Sequence, residues 1–218
     1  MTVPDSFLSL MGKSWDARSE TVQDAMSYII DGYQGSIETF YESGKRHAAD
    51  IIHSLKEAGC NIPYGRAVEI GCGIGRVTVW MHNMFEHVDA TDISPNMISM
   101  CPPLENVTWT ATSSLLKLPG RDYDLIYSII VLQHVPKPVF WNYLDEAHAV
   151  LKRGGIFHTQ LPMTIEPIEW PPEQTLLCRG YTIPELGNEI SGRQWETISL
   201  LRKSGISEPW YWLTLRKR

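Results

Sequence analysis

From residue 67 to residue 161 short apolar runs alternate with segments of helical periodicity, and few folds accommodate that order. The runs at 67–70, 87–92, 107–111, 123–129 and 156–161 read as strands, and 76–85 and 138–152 between them read as helices. Val77, Trp80, Met81 and Met84 share a face of the first helix. Phe140, Leu144, Ala147 and Leu151 share a face of the second, which Gly154-Gly155 is placed to end. Ser94-Pro95 opens a short helix, with a hydroxyl to cap it and a proline where no N–H is needed. Strands joined by helices in this way settle as a parallel sheet covered on both faces.

The flanks are less regular. Residues 1–18 show no clear period. Helices are expected at 20–31 and 36–58, with Gly44 placed to break or kink the second and Gly59 to stop it. Prolines 162, 167, 171, 172 and 184 break up the stretch 162–192, which reads as an excursion over one edge of the sheet. A helix near 193–203 and a strand near 210–216 follow. At 218 residues with 43% hydrophobic and 20% charged content, the chain suits one large domain around a sizeable core.

Composition also narrows the setting. No apolar run is long enough to cross a membrane, and no basic segment precedes the short patch at 7–11, so no secretion signal is expected. Cysteines 60, 72, 101 and 178 show neither zinc-knuckle nor redox-pair spacing and read as reduced thiols of a cytoplasmic protein. The formal net charge of −6 argues against nucleic acid as the main partner.

The most chemical stretch is Glu69-Ile-Gly-Cys-Gly-Ile-Gly-Arg76, a strand handing over to a glycine-rich turn. Glycines there let the backbone take positive φ and approach a ligand closely. A dinucleotide fingerprint needs a glycine where Arg76 stands; the third glycine falls one residue early, at Gly75. Asp92 ends the second strand, where an acid can accept hydrogen bonds from ribose hydroxyls. Ligands of open α/β sheets sit at the carboxyl ends of the strands, so Gly71 and Asp92 can share one crevice.

Taken together, Glu69 to Arg76, Asp92-Ile-Ser-Pro-Asn-Met97, Tyr123-Asp-Leu-Ile-Tyr-Ser128 and Leu151-Lys-Arg-Gly-Gly155 resemble the successive motifs of class I S-adenosylmethionine-dependent methyltransferases. The likeness covers roughly 67 to 161. It implies a Rossmann-like α/β fold: a seven-stranded, mostly parallel sheet with an antiparallel last strand. It also implies a cofactor-binding core at 61–161, between a helical lid and first helix at 1–60 and a closing segment at 162–218 of the same domain. Carried onto this sequence, the family pattern puts Glu69 and Gly71 by the methionine moiety of S-adenosyl-L-methionine and Gly73 close to its backbone path. Asp92 falls on the ribose, and Ile93 and Met97 on the adenine. The family often has an acid after the third strand; here Ser113 or Ser114 would serve. Ser128 and Ile129 fall where methyl and acceptor meet. The plainer alternatives are Asp92 as a helix-start acid before Ser94 and Met97 as ordinary core. Arg76 is either a solvated first-turn residue or a residue near the cofactor's carboxylate or an acidic substrate.

Methyl transfer from a sulfonium needs alignment above all, and a general base for some acceptors. His134, just past the fourth strand, is the candidate base, and a hydrogen-bonded loop histidine is the competing reading. His158, inside the fifth strand, reads as structural. The chain has no Asn/Asp-Pro-Pro-Tyr/Phe after the fourth strand, no Pro-Cys pair and no metal-ligand cluster. A small-molecule O-, N- or S-acceptor is therefore favoured over a protein or RNA, and a non-catalytic partner subunit is the remaining alternative. Oligomeric state stays open. Trp15, Tyr41, Trp170 and Tyr181 are the aromatic candidates for the acceptor pocket, with helix-to-sheet packing as the other use of such rings.

Overall fold

The computed structural model describes residues 5–63, 65–203 and 210–218. Helices α1 (Asp5–Asp16), α2 (Val22–Ile29) and α3 (Ile37–Glu57) precede β1 (Arg66–Ile70). Then come α4 (Thr78–Met81), β2 (His87–Asp92), α5 (Pro95–Ser99), β3 (Val107–Ala111) and β4 (Tyr123–Ser128). The chain closes with α6 (Lys137–Val150), β5 (Leu151–Pro162), α7 (Ile183–Ser191), β6 (Trp195–Arg202) and β7 (Trp210–Lys217).

One seven-stranded sheet runs in the order β3-β2-β1-β4-β5-β7-β6. Pairings among β1 to β5 are parallel, while β7 runs against both β5 and β6. The reversed last strand is as expected. Strand β4 is buried along its whole length, which is why Tyr-Asp-Leu-Ile-Tyr-Ser reads as a continuous run rather than an alternation. On one face α6 and α7 bury Phe140, Leu144, Ala147, Leu186 and Ile190 against Val68, Ile126 and Phe157. On the other, α3 and α4 bury Ile51, Leu55 and Met81 against Ala67, Val88 and Leu125. A third cluster, Ala25, Met26, Phe40, Ile74 and Met97, docks α2 and α3 onto the glycine loop.

Several local expectations are corrected. The segment 193–203 is strand β6, not a helix: its β-branched Thr197 and Ile198 suit a pleated surface, and β7 offers it a free edge. The helix lies earlier, as α7, where Thr182 and Glu185 form a reciprocal cap and Pro184 sits in the first turn. Gly154-Gly155 does not end α6, which stops at Val150; the pair lies in β5 where the register to β4 shifts, with Gly154 at φ +81. The helix at 76–85 shortens to α4 and a 3-10 turn, because the Asn106 amide donates to the carbonyls of His82 and Phe85. Gly44 does not break α3, which runs uninterrupted from Ile37 to Glu57. Residues 1–18 do contain a helix, α1, whose Leu8, Met11 and Trp15 point the same way.

Candidate active site

The sheet order reverses between β1 and β4, and a cavity lies at the carboxyl ends of those strands. Its floor is the loop after β1. Gly71 and Gly73 take φ +73 and +55, and a Cβ at Gly71 would run into the Val131 side chain. Such backbone belongs to glycine. Thr91 O accepts from the N–H groups of Gly71 and Cys72, at 2.7 and 2.9 Å, which binds the loop to the end of β2. Asp92 completes the joint: its carboxylate accepts from Gly73 N and Ser94 N, both at 2.9 Å. It therefore acts at the start of α5 and still lines the cavity, and its two readings coexist. Burial pushes the Asp92 carboxyl up, against the pull of those N–H donors.

Glu69 and Arg76 face the same cavity with opposite charge. Glu69 is 2% exposed and accepts from Thr78 Oγ1 at 2.6 Å and Tyr127 OH at 2.9 Å. Both hydroxyls land on Oε2, so Oε1 takes no hydrogen bond from any described residue. Burial raises this carboxyl to about 7. Arg76 is 5% exposed, and its Nη2 donates to His47 Nδ1 at 2.8 Å. No carboxylate among the described residues lies within ion-pair distance of it, and its Nε has no partner. A buried cation and a half-satisfied buried acid side by side suit an α-amino acid tail, whose carboxylate and ammonium answer both. The cradle thus fits S-adenosyl-L-methionine, and Asp92, Ile93 and Met97 line the same cavity.

The roof and rim come from outside the core motifs. Trp15 from α1 lines the cavity, its ring edge-on to His134 with centroids 6.4 Å apart. Asp16 Oδ1 accepts from Ser94 Oγ at 2.6 Å, which fastens α1 over the β2 turn. Ser14 and Arg18 fasten its other side to Thr175 of the excursion. Ile130, at φ +58, sits just past β4 on the cavity wall. A β-branched residue there is strained, and such strain concentrates at functional sites. His134 also lines the cavity. Burial lowers its imidazole to about 4, against backbone hydrogen bonds to Leu177 and Leu176, so it is neutral at ordinary pH.

Other expected residues lie elsewhere. Ser114 caps a 3-10 turn and donates to Glu146 at 3.0 Å, and neither it nor Ser113 lines the cavity; Thr112 does. Ser128 Oγ donates to Ile70 O at 3.0 Å, bracing β1 against β4 below the site. Tyr41 splints the glycine loop, donating to Ile74 O at 3.1 Å, and does not line the cavity. Trp170 is held at the surface by Cys178 O, and Tyr181 is fully buried against Phe140 and Trp141. Both are excursion packing. His158 is buried between Ser54 and Thr214 and is structural, as expected.

Sequence reasoning missed Leu8, Met11, Tyr28, Ile29 and Tyr143 as cavity residues. The spacing of Leu8, Met11 and Trp15, and of Val135, Val139 and Tyr143, was the available signal. Arg179 was missed as well. It is fully buried, paired with Glu169, and donates to the carbonyls of His134, Trp170 and Pro171, which pins the excursion to the rim.

This fold, a β3-β2-β1-β4-β5-β7-β6 sheet with a glycine-loop cavity at its switch point, is shared with solved methyltransferase structures. Residues 67–155 match the family model described as a methyltransferase domain. A Dictyostelium discoideum protein provisionally named a methyltransferase is 25% identical over 127 residues, covering 58% of this chain and 47% of its own. The chain thus spans about half the length of that curated relative. Among solved structures, the DhpI–SAH complex superposes with a TM-score of 0.67 at 18% identity, over 99% of this chain and 98% of the other. The magnesium protoporphyrin IX methyltransferase of Synechocystis PCC 6803 with bound SAM gives 0.68 at 14%, over 97% of each chain. The 1,6-didemethyltoxoflavin-N1-methyltransferase of Burkholderia thailandensis gives 0.67 at 19%, over 100% and 91%.

Proposed function

We propose that this chain is an S-adenosyl-L-methionine-dependent methyltransferase that acts on an O, N or S atom of a small molecule in the cytoplasm. The observation that carries the first part is the cradle itself: Asp92 clasping Gly73, with Glu69 and Arg76 exposed to one cavity. The second part rests on the roof. Helices α1 and α2 close over the cavity with Trp15, Tyr28 and Ile29, so that it is roofed by apolar and aromatic groups that suit a small molecule. Two of the similar structures belong to proteins named for porphyrin and toxoflavin substrates, which is in keeping with a flat acceptor. Among the described residues no helix is long and apolar enough to cross a membrane.

The bound cofactor supplies an activated methyl group. The chain's own part is to hold both reactants in line and keep water out. Glu69 and Arg76 fix the amino-acid end, and Asp92 fixes the sugar. Ile129, Ile130 and Val131 form the wall against which the acceptor is pressed. His134, neutral and poorly basic, orients the acceptor by hydrogen bonding more than it removes a proton. Incubation with methyl-labelled S-adenosyl-L-methionine and a cell extract split into metabolite, protein and RNA fractions tests the reading. Label is expected in the metabolite fraction; label confined to protein or RNA refutes the small-molecule assignment.

A further inference from the structure

The inner face of helix α3 is built around one side chain, that of Arg76. Phe40, Ser43, Gly44 and His47 recur at helical spacing and all meet it. The guanidinium lies 5.9 Å from the Phe40 ring centroid, Nη1 is 3.5 Å from Ser43 Oγ, and Nη2 is 2.8 Å from His47 Nδ1. At Gly44 a Cβ would collide with the Arg76 carbonyl, so only glycine lets the helix come this close. An arginine can only donate, so His47 Nδ1 must accept and the ring proton must sit on Nε2. Burial and the neighbouring Arg76, Lys203 and Arg46 lower this imidazole to about 4, against Asp50, which keeps it neutral and able to accept. Lys203 is itself paired with Asp50 at 3.0 Å. The result is a buried guanidinium steered by a neutral partner, with no carboxylate among the described residues in ion-pair contact and Glu69 acting on its charge from beyond that distance.

We propose that His47 is a positioning residue: through its Nδ1 it aims Arg76 at the carboxylate of the cofactor's amino-acid tail, so that α3 makes the pocket read the tail as well as the nucleoside. The proposal rests on the methyltransferase reading and adds a residue outside the motifs. It is tested by calorimetric binding of two ligands, S-adenosylhomocysteine and 5′-methylthioadenosine, which share the nucleoside and differ in the tail. His47→Leu is expected to weaken S-adenosylhomocysteine about tenfold, in line with loss of one charge-assisted hydrogen-bond geometry, and to leave methylthioadenosine within about twofold. His47→Asn, whose Oδ1 can stand where Nδ1 stands, is expected to restore most of the loss. Methylthioadenosine binding certifies that each variant is folded. Equal weakening of both ligands, or unchanged S-adenosylhomocysteine binding in His47→Leu, overturns the role of His47. Failure of the wild-type chain to bind either ligand overturns the methyltransferase reading and this proposal with it.

Discussion

Replacing Glu69 with glutamine separates charge from shape at the centre of the cradle. The glutamine carbonyl can still accept from Thr78 and Tyr127, so packing and hydrogen bonding survive while ionisation does not. Burial raises the wild-type carboxyl from 4.5 to about 7, which corresponds to roughly 3 kcal/mol. The sign follows from proton uptake. Between those two values the folded chain holds a proton that the unfolded chain has lost, so wild-type stability contributed by this group falls as pH rises from 4.5 to 7. In Glu69→Gln that contribution is flat. The difference between the two proteins cancels every other titrating group. The variant is therefore expected to gain on wild type by roughly 3 kcal/mol between pH 4.5 and pH 8, read from urea unfolding of the apo proteins. Cofactor binding reverses the preference, because an ammonium beside the carboxyl favours its charged form. Wild-type affinity for S-adenosylhomocysteine should then rise as pH passes from 6 to 8, and that of Glu69→Gln should not. A stability difference that stays constant across this range refutes the reasoning.

Three further outcomes are expected. Gly44→Ala, which helix propensity alone would favour by about 1 kcal/mol, should instead destabilise by about 1–3 kcal/mol, because the added methyl meets backbone; a higher urea midpoint would contradict this. Ile130→Gly should change stability little, since relief of roughly 1–2 kcal/mol of left-handed strain offsets the lost side chain and the freer unfolded chain. Its acceptor KM should rise and its affinity for S-adenosylhomocysteine hold, as judged by steady-state kinetics and calorimetry. His134→Gln should keep the shape of the wild-type rate–pH profile between pH 5 and 9, because an imidazole lowered to about 4 does not titrate there. A limb near 6.5 that vanishes in the variant would restore His134 as the base.

Most of the sheet was legible because β1 to β4 and the glycine loop carry strong local signals: short buried runs, positive-φ glycines and a capping Ser94-Pro95. What local pattern missed was decided by tertiary partners. Trp195 to Arg202 became a strand because β7 was there to pair with it, while the Thr182–Glu185 cap that marks the true helix was hidden behind a proline read as a breaker. In the site, residues fixed by the strand ends (Glu69, Gly71, Gly73, Asp92) fell where expected. Of the aromatic candidates outside the core, Trp15 lines the cavity, while Tyr41 bonds to Ile74 O and Tyr181 packs on Phe140, a choice set by tertiary partners. Arg76 lay between: its place was readable, but its hold by a neutral histidine showed only once α3 was seen against it.

The central claim is that the loop after β1 and the acid after β2 together hold the methyl donor. Titration of S-adenosylhomocysteine into the wild-type chain and into Asp92→Ala tests it most directly. The account predicts saturation at one ligand per chain for wild type and binding weakened at least about tenfold in the variant, which loses both the sugar contact and the Gly73 clasp. Absence of binding to wild type, or equal affinity in the two proteins, would contradict it.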